Sequence, residues 1–249
     1  MADDGGIGLL ALISFIGLML GFVFWGKRWP FSFRSLKGYE ALNIELERAV
    51  ESGERVHLSL GTGTLIGAES APALAGLTVL ARLASSTAMS DKPVIVSTSD
   101  GAMSILAQDT LASSYRKAGA SYRYDFTSAR MIGPTPFSYV AAIPSLLDTE
   151  EVSAHLMSGS FGTEGALTAD FGRRENAFVL AGTDDIQSQA LLYATANYPL
   201  IGEEVFAAGA YVDMGDMHDA SLRAQDVIRL VIIGLILIGT LLKTIGVIH

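Results

Sequence analysis

Residues 154–172 read AHLMSGSFGTEGALTADFG. An apolar run, Ala154–Ser158, leads into Gly159, Gly162 and Gly165, and a helical pattern continues to about Arg174. A strand entering a glycine-rich turn before a helix is the geometry in which backbone N–H groups receive an anion. The same order appears on both sides of it. Downstream, AFVLA at 177–181 leads into Gly182-Thr-Asp-Asp185 and a helix to about Asn197. Upstream, RVHLSL at 55–60 runs into GTGTLIGAES, a helix over Pro72–Ser86, and a short apolar strand PVIVST at 93–98. Ser99-Asp100-Gly101 then opens a helix to about Ala118, with aspartate as its cap. Before all of these, Leu42, Leu46, Ala49 and Val50 recur at helical spacing, and Gly53 supplies the stop. The stretch carrying Pro134, Pro136 and Pro144 reads as irregular. Strand–helix alternation of this kind predicts an α/β domain: a mostly parallel, Rossmann-like sheet with helices on both faces.

The two halves align. VHLSLGTGT at 56–64 matches AHLMSGSFG at 154–162, an offset of 98, and VIVSTSDGAMS at 94–104 matches FVLAGTDDIQS at 178–188, an offset of 84. A duplicated β-α-β-α unit is one reading. The other is that βα turns share glycine, Ser/Thr and Asp whatever their origin. In a doubly wound sheet the turns at the strand C-termini converge on one crevice. Gly61, Thr62, Gly63, Asp100, Gly159, Ser160, Gly162, Thr163 and Asp184 are therefore the candidate ligand-binding residues, joined by Thr98, Gly165 and Thr183.

Strict fingerprints are absent. GxxxxGK[ST] needs a lysine where Ala166 follows Gly165, GxGxxG needs other glycine offsets, and GTGTLIG at 61–67 brings its third glycine one residue late. Tight packing of strand on helix explains the same glycines without a ligand. His57 and His155 hold matching positions amid apolar residues, which fits hydrogen-bonded core histidines better than catalysis. No nucleophile elbow is present, because Ser160 lies in SGSFG and not GxSxG. Asp213-Met-Gly-Asp216-Met-His218-Asp219 lacks the spacing of known cation loops and reads as a polar helix cap. Asp184-Asp185 and Glu203-Glu204 read as solvated turn charges. No catalytic residue, metal ligand or cofactor is assigned.

The chain has 249 residues, a net charge of −9 and no cysteine, which excludes disulfides and thiolate sites. Its mean hydropathy of +0.39 is concentrated at the ends. Ile7 to Trp25 carries no charge over 19 residues, about 28 Å as a helix, close to the hydrocarbon thickness. The preceding MADD is unlike the basic start of a signal peptide. Leu230 to Ile248 is apolar all round until Lys243, unlike a buried amphipathic helix. Trp25 and Trp29 suit an interfacial belt. Lys27, Arg28, Arg34 and Lys37, with Arg223 and Arg229, place the centre of the chain inside by the positive-inside rule. The expectation is a two-pass protein of the cell inner membrane with both termini outside. It divides into an anchor at 1–29, a cytoplasmic α/β domain at 30–226 and a second transmembrane helix at 227–249. Gly17 and Gly21 form a GxxxG pattern suited to helix packing. Residues 39–226 hold 11 Lys/Arg and 24 Asp/Glu, a formal charge of 11 − 24 = −13, which disfavours nucleic acid as a partner.

With SGSFGTEGALTADFG, AGTDDIQSQALLYAT and PLIGEEVFAAGAYV together, the chain resembles bacterial membrane proteins grouped as a domain of unknown function, over residues 39–245. The resemblance implies an integral membrane protein without an assigned activity, and it transfers no site residue. Two functions are expected from these readings. One is a non-enzymatic, membrane-tethered assembly or scaffold protein, a homo-oligomer with the bilayer and other membrane proteins as partners. The alternative is a small-molecule or nucleotide-binding α/β domain, hydrolytic or not, that uses the paired glycine turns.

Overall fold

The structure, a computed structural model, describes residues 4–25, 35–67, 70–211 and 216–244. The chain divides into two compact units, residues 35–213 and the terminal segments 1–34 with 214–249.

The central unit opens on helix α2 (Lys37–Ser52), which follows the N-terminal helix α1 (Asp4–Trp25) in chain order. Then β1 (Arg55–Gly61), α3 (Ser70–Thr87), β2 (Ile95–Thr98), α4 (Gly101–Lys117) and β3 (Ala129–Met131) form one half. The other half is α5 (Pro136–Thr149), β4 (Val152–Ser160), α6 (Gly165–Arg174), β5 (Phe178–Gly182), α7 (Ile186–Thr195) and β6 (Tyr198–Leu200), followed by the short α8 (Ala208–Tyr211). The six strands form one sheet in the order β3-β2-β1-β4-β5-β6, every pairing parallel. This is the strand order of the Rossmann sheet, and it reverses direction between β1 and β4.

Right-handed crossovers fix which helix covers which face. Moving from β1 to β3 puts α3 and α4 on one face, and moving from β3 to β6 puts α5, α6 and α7 on the other. The side chains agree. Tyr139 of α5 bonds Ser59 and Ser97, and Gly172 of α6 lies against His155 and Val179. On the opposite face Gly38 of α2 meets Leu180 and Leu200. Apolar residues are buried on both faces, so the strands are near-continuous apolar runs, as in any doubly covered parallel sheet.

Helix starts are specified locally. Asp100 caps α4 by accepting the Met103 N–H at 2.8 Å, and Asp185 caps α7 by accepting the Ser188 N–H at 2.7 Å. Thr135 and Ser138 form a capping box on α5 with Pro136 in its first turn. The proline-containing stretch is therefore an ordered helix and not irregular chain. Pro136 sits where a missing N–H costs nothing, and Pro144 is tolerated inside. Gly53 takes the left-handed conformation (φ 69°) that ends α2.

The alignment at offset 98 has a physical explanation other than duplication. In the sheet His57 pairs with His155, Leu58 with Leu156 and Ser59 with Met157, so the offset is the register of adjacent strands. A two-fold exchanging the halves would exchange the sheet faces, as it exchanges α3 for α6. His57 and His155 share a face, with their Nδ1 atoms 2.8 Å apart. The order of elements repeats; the residue-by-residue match is not a two-fold equivalence.

In the terminal unit, α9 (Asp216–Thr244) is long and apolar enough to cross a membrane over Met217–Thr244, with mean hydropathy 2.2. Its side chains from Leu230 to Ile238 are largely exposed, which water would penalise. In α1 the apolar run among the described residues, Ala11–Phe24, is shorter than that of α9. A Cβ at Gly17 or Gly21 meets nothing within 4 Å, so neither glycine is a point of close helix approach within one chain. Trp29, Lys27, Arg28, Arg34 and Asp213 of the sequence reading lie outside the described residues.

Candidate functional site

Parallel strands deliver all their C-terminal loops to one edge of the sheet, and where the order reverses the loops of β1 and β4 part. A cavity of about 430 Å³ lies at that edge. It is lined by Thr62 and Thr64 after β1, Ser99 and Asp100 after β2, Pro134 and Pro136 before and at the start of α5, Ser160, Phe161, Gly162 and Glu164 around the β4–α6 turn, and Asp185 after β5. Its volume is in the range of small-molecule clefts.

Of the residues expected from sequence, Thr62, Asp100, Ser160 and Gly162 line the cavity; Gly61, Gly63, Gly159, Thr163 and Asp184 do not. Two of the glycines have packing roles instead. Gly61 is left-handed (φ 74°) and a Cβ there would collide with the Ser160 carbonyl oxygen, while a Cβ at Gly159 would collide with that of Leu60. These glycines let β1 and β4 run backbone to backbone as the ladder loses register between Ser59 and Gly61. The Thr62 N–H donates to the Ser160 carbonyl at 2.9 Å and the Ser99 N–H to that of Gly61 at 3.0 Å, which ties three loops together. Thr183 fastens a fourth. Its hydroxyl accepts the Phe161 N–H and donates to the Phe161 carbonyl, both at 3.0 Å.

The anion-binding geometry of the opening stretch is already filled from within. Glu164, at the N-cap of α6, turns its Oε1 back to accept the Gly162 N–H at 2.8 Å and the Thr62 hydroxyl at 3.3 Å. That carboxylate takes one backbone donor of the turn, the Gly162 N–H, and sets a negative charge where an anion would sit, while the first N–H groups of α6 bond backbone carbonyls of the turn. Asp100 and Asp185 likewise spend one oxygen each on their own helices. Hydrogen bonds from the Ser188 hydroxyl and N–H hold the Asp185 carboxyl below its ordinary value. Among the described residues no lysine, arginine or histidine lines the cavity. The sequence reading missed Glu164 and Asp185. The available signal was the position of each as the residue immediately before a helix, on a loop that parallel strands deliver to this edge.

Beneath the cavity, on the α5–α6 face, the two histidines anchor a buried polar chain. His57 Nε2 meets Ser97 Oγ at 2.8 Å, Ser97 Oγ meets Tyr139 Oη at 2.7 Å, and Tyr139 Oη bonds Ser59 Oγ. Neutral imidazoles satisfy this chain in either of two polarities, with protons pointing from His155 toward Ser59 or the reverse. His155 Nε2 has no partner among the described residues in either case. Burial pushes the His155 imidazole down to about 3; burial first, then the neighbouring His155, drives His57 well below its usual value. Burial raises the Tyr139 phenol to about 12, and the Ser59 and Ser97 hydroxyls moderate the rise. These are hydrogen-bonded core histidines, as expected, apart from the unpaired nitrogen of His155.

No three His, Asp or Glu side chains gather to hold a metal ion among the described residues. The family described as a domain of unknown function, DUF6754, matches residues 6–249, and the chain belongs to that family. No curated protein and no solved structure matches the chain.

Proposed function

We propose that this member of a family without an assigned activity is a membrane-held α/β domain that binds a small organic molecule at the β1–β4 switch point and performs no chemistry on it. One juxtaposition carries the reading: the 430 Å³ cavity lies where the strand order reverses, with loops from both halves of the sheet as its walls. Open α/β sheets bind ligands in that crevice. The acidic lining and the carboxylate already at Gly162 favour this over the nucleotide version of the same idea. α9 supplies the membrane attachment. In the same proposal α1 is a second span of an inner-membrane protein, both termini lie outside, and the acidic domain lies in the cytoplasm. The test is mass spectrometry of small molecules released from full-length protein extracted with mild detergent. A compound enriched with wild type and absent from Thr64→Trp, which fills the cavity mouth, is expected. Identical extracts from two folded proteins would remove the proposal.

A second reading, a homo-oligomeric scaffold, draws on a different observation. Ile66, Phe137 and Ile186 are 88%, 78% and 81% exposed, and each follows a strand at the cavity edge of the sheet or opens a helix there. Apolar groups so exposed suit contact with another copy or another membrane protein. Light scattering on the detergent-solubilised chain decides it, since a monomer leaves the scaffold without support.

A further inference from the structure

We propose that the switch-point cavity takes a linear polyamine, an alkyl chain carrying several ammonium groups. The inference rests on the reading of the cavity as a ligand site and names its ligand class.

The argument begins with Ser160. It is only 7% exposed, it lines the cavity, and its Oγ has no hydrogen-bond partner among the described residues. That oxygen is not among the sealed, unsatisfied atoms, so it opens onto the cavity. A hydroxyl on a nearly buried residue that faces the cavity with no partner of its own is free to bond whatever occupies that space.

The second observation is how the acids are spent. Asp100 Oδ1, Asp185 Oδ2 and Glu164 Oε1 serve the backbone of their own turns. The other oxygen of each has no hydrogen bond or ion pair among the described residues. Three half-used carboxylates from three loops thus surround one space, with no basic side chain lining it among the described residues.

Geometry then selects the kind of cation. The carboxylates do not converge on a point, since no set of three acids or histidines is close enough to hold a metal ion. Separated carboxylates are met by separated positive centres. Ammonium groups spaced along an alkyl chain provide these, each donating to a carboxylate and to hydroxyls such as those of Ser160, Ser99 and Thr62. Pro134, Pro136 and Phe161 offer apolar wall to the methylenes between them. Phosphate is disfavoured on the same facts, because it would face three carboxylates with its N-terminal donor already used.

The test uses detergent-solubilised full-length protein and spermidine, titrated by calorimetry in about 150 mM sodium chloride so that diffuse surface attraction is screened. Magnesium ion, pyrophosphate and the neutral polyol sorbitol are the comparison probes. Spermidine is expected to bind at one site. Asp100→Asn, Asp185→Asn and Glu164→Gln should each weaken it about tenfold, the loss of one charge-assisted bond. Ser160→Ala should weaken it several-fold. The amide variants keep the oxygen that accepts the backbone N–H, so melting temperatures without spermidine should stay near wild type. Unchanged spermidine binding in the three amide variants would mean adsorption to an acidic chain and would overturn the proposal. Binding of sorbitol or pyrophosphate in place of spermidine, abolished by Thr64→Trp, would overturn the ligand class and leave the cavity reading standing. If no probe binds and native extracts carry no small molecule, both fall together.

Discussion

Acid should loosen the central unit through its buried histidine pair, and the size of the effect follows from the structure. His57 and His155 are fully buried, joined Nδ1 to Nδ1, with folded-state pKa values below the ordinary 6.5. In the unfolded chain both imidazoles take up a proton near pH 6.5, while in the folded chain they refuse it. The unfolded state therefore binds more protons, and stability falls as pH drops through 6.5, levelling for His155 only near its folded value of about 3. Each refused proton costs about 1.4 kcal/mol per pH unit. Between pH 7.5 and pH 5.0 His155 alone should remove about 2 kcal/mol, and His57 acts in the same direction. For a unit of this size the His155 share is a fall in melting temperature of roughly 4–8 °C. Asp125, Glu151 and Asp185, whose carboxyls are held low, lose their contributions as pH falls from the ordinary carboxylate range toward their lower folded values, almost wholly below about pH 5. The window from pH 7.5 to 5.0 thus isolates the histidines. The assay is thermal unfolding of the detergent-solubilised chain by circular dichroism, beside the double variant His57→Leu/His155→Leu. The variant should show a much flatter pH dependence, whatever its absolute stability. Equal slopes in the two proteins would refute a buried, neutral pair.

Gly61→Val should destabilise the central unit by about 3 kcal/mol or more, because the left-handed backbone and the Ser160 carbonyl both exclude a side chain; urea unfolding measures it, and a wild-type midpoint would contradict the packing role. If α9 lies in lipid, alkaline carbonate should leave the chain in membrane pellets. Ile233→Arg/Leu237→Arg, at about 3 kcal/mol each near a helix centre, should move a large fraction into the supernatant.

Legibility of the fold varied with the range of the forces involved. β1, β2, β4 and β5 were readable because each is an apolar run closed by glycine or a capping acid. β3 and β6 were not, since Ala129–Met131 and Tyr198–Leu200 are three residues each and carry no periodicity. They are strands only because β2 and β5 offer them an edge to pair with. α5 was hidden by its prolines, whose meaning depends on position: Pro136 in the first turn begins a helix instead of breaking it. The apolar character of the C-terminal helix was plain from composition, because from Leu230 to Leu242, before Lys243, it has no polar face to turn toward water.

The site divides in the same way. By itself the sequence determined that glycine-rich turns follow strands, that Asp100 caps the helix after β2, and that no lysine waits at Gly165. Those are local matters of backbone sterics and hydrogen bonding, settled within a few residues. Only the tertiary structure decided that Thr62, Asp100, Ser160, Glu164 and Asp185 line one cavity, and that Gly61 and Gly159 are spent on strand contact. It also decided that His57 and His155, 98 residues apart, are hydrogen-bonded to each other. Strand order and register come from long-range packing and crossover handedness, and no local window of sequence carries them.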